Sequence, residues 1–210
     1  MEKIVSYAAC CLICLLCCFK APAQNADIRI LRSINVNRNT GLDGAMNALT
    51  QTAYPVSFAL PATELIVGYI TRDKHTISNG WQSVAGAGIT VVVAYGLKYS
   101  VNRQRPYLTY PDIQPYSQDN DPCFPSGHTS LAFCTATSLT LHYPKWYVAA
   151  PAYLWAAGIG YSRMHLGMHY PSDVLAGAIV GAGSAWLSYK GNQWLQKRKH
   201  KKVNTEVEGH

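Results

Sequence analysis

Five apolar stretches separated by polar connections constrain the fold of this chain more than any other feature. They run roughly over Tyr54–Ile70, Trp81–Tyr99, Thr129–Tyr143, Trp146–Tyr161 and Val174–Tyr189. Each is about 15–19 residues long, near the short end of what an α-helix needs to cross a bilayer. They are rich in Ala, Gly, Ser and Thr, which lets helices pack closely in lipid. Tyr and Trp gather at their ends, as in an interfacial belt. The pattern predicts an all-α helical bundle, integral to a membrane with five spans. The competing reading is a soluble bundle, to which thin apolarity and the lone Glu64 both point.

The segment before these stretches reads as a secretory signal or an uncleaved anchor helix over residues 1–23. Lys3 supplies the positive start, Ile4 to Phe19 the apolar core, and Ala21-Pro22-Ala23 a cleavage pattern. Five of the seven cysteines, Cys10 to Cys18, lie in that core and read as small apolar fillers. A bond between Cys123 and Cys134 stays open, and neither cysteine has metal-site spacing. Ile28, Leu31, Ile34 and Val36 predict a short amphipathic helix lying on a surface. The main helical domain is expected over 24–190, followed by a basic tail over 191–210.

Charged residues make up 14% of the chain and the formal net charge is +7. Lys197, Arg198, Lys199, Lys201 and Lys202 concentrate that charge after the last apolar stretch. A juxtamembrane anchor explains this run better than a nucleic-acid contact does. With residue 24 outside, threading five spans puts Arg72, Lys74, Lys145 and the basic tail on the cytoplasmic side. The same threading puts three polar segments together on the outer face.

Those segments carry the chemistry. Lys98, Asn102 and Arg105 are spaced to share one helix face, and Pro106 stops that helix. Two cations on one face can grip a phosphoryl group, Arg as a fork and Lys as a point charge. Basic residues at a span's end also simply reach for the interface. Ser126 in Pro125-Ser126-Gly127-His128 is a natural N-cap, and the helix end behind it offers backbone N–H groups to an anion. Gly127 allows close approach, and His128 sits in the first turn. Ser162-Arg163 closes the fourth stretch. Pro171 suits a first helical position, and Asp173 one turn in can reach back to His169. A carboxylate on one imidazole nitrogen fixes the tautomer and makes the other a better nucleophile.

His165 and His169 are four apart, which invites a metal reading. Gly167 weakens a helix between them, no third ligand is apparent, and Lys98, Arg105 and Arg163 would repel a divalent cation. His165 is expected instead to support the site or touch the substrate's edge. Neither metal nor cofactor is expected.

In this order the segments resemble the signature of the type 2 phosphatidic acid phosphatase superfamily: K-x6-R-P, then P-S-G-H, then S-R-x5-H-x3-D. It is met at Lys98 to Pro106, Pro125 to His128 and Ser162 to Asp173 without a departure. The resemblance implies an all-α core and metal-independent phosphoester hydrolysis. It implies His169 as nucleophile through a phosphohistidine, His128 as general acid and then base, and Asp173 as the group orienting His169. Lys98, Arg105, Arg163, Ser126 and Gly127 would hold the phosphate. The superfamily spans membrane lipid phosphatases, soluble periplasmic acid phosphatases and vanadium haloperoxidases, the last unlike so short a chain. Spans and sidedness favour a membrane enzyme in a bacterial-type inner membrane, its site on the outer face. Its partner would be a phosphorylated lipid: a polyprenyl pyrophosphate, phosphatidic acid, phosphatidylglycerol phosphate or a lipid A. A soluble periplasmic phosphatase is the alternative. A phosphate-binding protein without turnover is a second, but mere binding needs no paired imidazoles.

Overall fold

The computed structural model describes residues 20–208, and helix is the only regular structure among them. In chain order these are α1 (Lys20–Asn35), a 3-10 turn (Thr40–Leu42), α2 (Asp43–Gln51), α3 (Ala53–Thr71), α4 (Lys74–Val101), α5 (Pro106–Thr109), α6 (Gly127–His142), α7 (Trp146–His165) and α8 (Pro171–Glu208). The five apolar stretches are the cores of α3, α4, α6, α7 and α8. The apolar core of the N-terminal segment lies outside the described residues. The final helix carries on through residue 190 as one continuous element, about 57 Å long at 1.5 Å per residue.

Local chemistry sets the ends of these helices. Asp73 caps α4 by accepting from the N–H groups of His75 and Thr76, while Arg72 just before it ends α3 in the left-handed region at φ 56°. Asn102 ends α4 in the same way at φ 48°. Ser126 caps α6, its Oγ accepting from Thr129 N. Pro171 opens α8, where its missing N–H costs no helix hydrogen bond.

Helix α6 is central and packs against α3, α4, α7 and α8. Its buried residues are small or hydroxylated: Thr129, Ser130, Ala132, Thr135, Ala136, Thr137 and Ser138 among them. Close approach is most extreme against α8. A Cβ built on Gly181 would lie 1.9 Å from the Ser130 carbonyl oxygen, and one on Gly177 2.7 Å from the Ser126 oxygen. Glycine at these two positions, one turn apart, is what lets the helix backbones touch.

Apolar bulk is turned outward. Ile70, Val92, Leu154, Trp146 and Ile179 all face away from the bundle. Two segments, Thr40–Thr71 and Lys74–Thr109, contain windows of mean hydropathy 1.2 and 1.4, long and apolar enough to cross a membrane. Apolar surface outside and hydroxyls inside is the reverse of a water-soluble bundle. Glu64, which favoured the soluble reading, is buried and partnered instead. Its carboxylate lies 2.7 Å from His142 Nδ1 and accepts from Ser83 Oγ at 2.8 Å. A charge in such a setting has to be paired within the bundle.

One expectation needs correction, and one open question is answered. The amphipathic helix α1 does not rest on a surface. Its apolar face, Ile28 and Leu31, is buried against Ile113, Cys123 and Tyr170 of the same chain. The periodicity is real, but its partner is the protein. The two cysteines outside the N-terminal segment, Cys123 and Cys134, are free thiols, buried in different packing environments.

Candidate active site

The three polar segments meet at one end of the bundle. A cavity of about 150 Å³ is lined by Lys98 and Arg105, by Gly127 and His128, and by Arg163 and His169. Tyr54 of α3, Tyr95 of α4, Asp119 and Asp121 complete its wall.

Lys98 and Arg105 reach the cavity by a route the spacing did not predict. They do not share a helix face, because α4 ends at Val101 and Asn102 turns left-handed. Residues 103–105 lead out of the helix, and Arg105 precedes the short α5. The chain turns before Pro106, so that proline begins a helix rather than ending one. Arg105 is still fixed firmly: its Nε donates to the Asp121 carbonyl at 3.0 Å and its NH1 to the Met168 carbonyl at 3.1 Å.

The start of α6 behaves as expected. Ser126 is fully buried, its Oγ accepting from the Thr129 hydroxyl at 2.9 Å. His128 in the first turn stands edge-on to the Tyr54 ring, 4.6 Å between centroids. The end of α8's first turn is tied to this cap, since Ser126 N donates to the Asp173 carbonyl at 3.0 Å.

Between α7 and α8 the chain folds back on Arg163, whose carbonyl accepts from Met168 N at 3.0 Å and His169 N at 3.3 Å. Gly167 makes this return at φ +71°, where a Cβ would also strike the Gln114 carbonyl at 2.6 Å. The His169 ring is almost wholly enclosed. Burial, reinforced by Arg163, Arg105 and Lys98, pushes its imidazole well below the ordinary histidine range. It is therefore neutral near pH 7.

Asp173 lies 3.6 Å from His169 Nδ1, longer than a hydrogen bond. Its Oδ2 instead accepts from Tyr170 N at 2.9 Å, closing the start of α8 like a capping box. Its Oδ1 accepts from Arg103 NH1 at 2.6 Å. Arg103 extends the chain of contacts: NH2 donates to Asp27 at 2.7 Å, NH1 to the Ser172 hydroxyl at 2.7 Å, and the guanidinium stacks 3.8 Å above Tyr170. Helix α1 thus reaches the site through Asp27, which also accepts from Ser172 N at 2.8 Å.

His165 does not touch the cavity. Its Nε2 lies 2.9 Å from Asp43, which Arg38 grips through both carboxylate oxygens at 2.8 and 2.9 Å. It braces α7 against α2, away from the cavity wall, so His165 is not at the substrate's edge.

Four residues at the site escaped the sequence. Arg103 sits inside the first motif at an unassigned position and reads as one more interfacial cation. Asp27 has no local signal at all. Asp119 and Asp121 belong to a connection rich in Tyr, Pro, Asp and Gln. Only the fold turns them onto Lys98, Arg105 and Arg163. Burial raises the Asp121 carboxyl, but hydrogen bonds from Lys98 and Arg105 outweigh it and bring it down to about 2.

A family model for the PAP2 superfamily matches residues 79–197, which contain all three motifs. The chain belongs to the PAP2 superfamily. An undecaprenyl-diphosphatase of Sulfolobus acidocaldarius is 28% identical over 170 residues, 78% of this chain and 75% of that protein. A lipid A 4'-phosphatase of Bacteroides thetaiotaomicron is 41% identical over 66 residues, 31% of this chain and 29% of that protein. The crystal structure of a transmembrane PAP2 type phosphatidylglycerolphosphate phosphatase from Bacillus subtilis superposes with TM-score 0.70 at 26% identity, covering 92% of this chain and 97% of that one. This PAP2 protein is a phosphohydrolase of the phosphoric monoester and lipid pyrophosphate class.

Proposed function

We propose that this chain removes a terminal phosphate from a phosphorylated or pyrophosphorylated membrane lipid, without a metal, through a phosphohistidine. The observation that carries this reading is that two imidazoles from different motifs, His128 and His169, line one cavity with three buried cations. His169 is neutral and turns Nδ1 toward Asp173, which leaves Nε2 to attack phosphorus. The P–O bond to the lipid breaks as the P–N bond forms. His128, whose imidazole burial and Arg163 push down to about 3, takes up a proton as the negative phosphoryl group enters and gives it to the leaving oxygen. It then takes a proton from water, which attacks phosphorus and frees orthophosphate and His169. Lys98, Arg105, Arg163 and the backbone N–H groups at the Ser126–Gly127 cap hold the phosphoryl oxygens and offset their growing charge.

The outward apolar faces favour lipid over water around the bundle, hence a lipid substrate over a soluble phosphate. The five long helices cross the membrane, with the site on the outer face of an inner membrane and the basic tail inside. Polyprenyl pyrophosphate, phosphatidylglycerol phosphate and lipid A are the substrate candidates that the relatives support.

The test is phosphate release in excess EDTA from polyprenyl pyrophosphate, phosphatidic acid, phosphatidylglycerol phosphate, lipid A and an aryl phosphate. We expect turnover of at least one lipid, unaffected by EDTA and abolished in folded His169→Ala. Turnover by His169→Ala at the parent rate would overturn the nucleophile, and a strict Mg²⁺ requirement would overturn the mechanism.

A further inference from the structure

Every cation assigned to the phosphate already faces a carboxylate. Lys98 pairs with Asp121. Arg105 NH2 lies 2.5 Å from Asp121 Oδ1 and 3.1 Å from Asp119 Oδ2. Arg163 NH2 lies 3.6 Å from the same Asp119 oxygen. Two side chains from one connection thus cover all three cations. Carboxylate and phosphoryl oxygens meet a guanidinium in the same forked geometry, so both anions compete for one set of donors.

Exposure decides which partner can leave. The side chains of Lys98, Arg105 and Arg163 are 8%, 3% and 6% exposed, whereas those of Asp119 and Asp121 are 39% and 43% exposed. The cations are walled in, while the carboxylates already touch water and lose little hydration by turning away. A second cavity of about 340 Å³ adjoins the carboxylates, its wall including Asn102, Arg103, Gln104, Arg105, Gln118 and Asn120. It gives them a polar place to turn into. The Asp119 N–H donates to the Tyr107 hydroxyl and the Asp119 carbonyl accepts from it, both at 3.0 Å, which anchors the backbone and leaves side-chain rotation as the way out.

Resting on the phosphatase reading above, we propose that Asp119 and Asp121 form an internal anion on the phosphate-binding cations, which a phosphoryl group displaces on entry and which returns as orthophosphate leaves. The two residues then set how tightly the site holds phosphoryl anions, substrate and product alike. They take no part in the bond changes.

The experiment compares full-length parent, Asp119→Asn, Asp121→Asn and the double variant in detergent micelles. It reads KM for the lipid substrate, Ki for orthophosphate and vanadate, and the melting-temperature rise that orthophosphate alone produces. Asp112→Asn serves as control: it removes one negative charge from the same connection, where Asp112 pairs with exposed Arg32 instead. We expect KM and both Ki values to fall together, by about tenfold in the double variant, with a larger orthophosphate-induced rise in melting temperature and no change in Asp112→Asn. Unchanged or higher Ki values in the double variant, with a smaller thermal rise, would overturn the proposal. They would mean that the carboxylates hold the cations in place. The thermal measurement needs no turnover. If no lipid is hydrolysed but the double variant still gains affinity for orthophosphate, the phosphatase reading falls and the internal anion stands.

Discussion

Replacing Arg103 by alanine removes the one side chain that joins Asp173 to Asp27. Asp173 has no exposed side-chain surface, Asp27 is 7% exposed and Arg103 23%. Taking one member from a buried ion pair costs about 3–5 kcal/mol, because the other charge is left without compensation. The partial exposure of Arg103 puts the expected loss at the lower end, about 3 kcal/mol. In a chain of this size each kcal/mol moves the melting temperature by about 2–4 °C, so Arg103→Ala should melt about 6–12 °C below the parent. A hydrogen bond between charged groups contributes about 1.5–3 kcal/mol. If that restraint is what holds Asp173 behind His169 in the transition state, kcat falls by about 10- to 150-fold with KM little changed. Arg103→Lys keeps the charge but loses the planar fork that bonds Asp173 and Asp27 from separate nitrogens and stacks on Tyr170. It should recover part of the melting temperature and less of kcat. The assay is phosphate release from detergent-solubilised enzyme beside a thermal melt of the same preparation. Unchanged kcat in Arg103→Ala, with or without lost stability, would refute a role in positioning Asp173. Unchanged stability would refute the ion-pair argument itself.

Two further outcomes follow from packing and charge. Gly181→Ala should destabilise by about 1–3 kcal/mol or more, since its new methyl group meets a backbone oxygen that cannot swing aside; a melt within error of the parent would show that α6 and α8 can separate freely. The His169 imidazole should take up its proton only below the ordinary histidine range, because burial and the nearby Arg163 disfavour its charged form, as followed by ¹⁵N NMR of labelled enzyme with His169→Gln for assignment. The unfolded chain takes up that proton near pH 6.5. His169 therefore costs the fold stability as pH falls below that value and has no such effect above it. A His169 resonance titrating near pH 6.5 would contradict the burial that lowers it.

Much of the site was legible along the chain because helix ends are written in local chemistry. Ser126 caps α6 and Pro171 opens α8 as their residue types dictate, and each puts its histidine beside a helix start. The apolar stretches declare the helices for the same reason: backbone hydrogen bonds in such segments have no partner except their own. The motif spacing of Lys98 and Arg105 misled at the level of the helix face, since Asn102 ends α4 four residues after Lys98. Both cations still converge, because Arg105 is held by carbonyls of Asp121 and Met168 rather than by a helix.

What the linear chain determined, then, is an all-helical PAP2 protein and the identity of the imidazoles and cations in its cavity, since those depend on residue types at short spacing. What only tertiary structure decided is how they are surrounded. Asp27 meets Arg103 across 76 positions, Arg103 meets Asp173 across 70, and His165 meets Asp43 across 122. Asp119 and Asp121 become partners of the cations only when their connection folds over the bundle's end. Contacts between residues so distant in sequence have no local signature. They exist because a buried charge must find an opposite one, and which one it finds is set by how the helices pack.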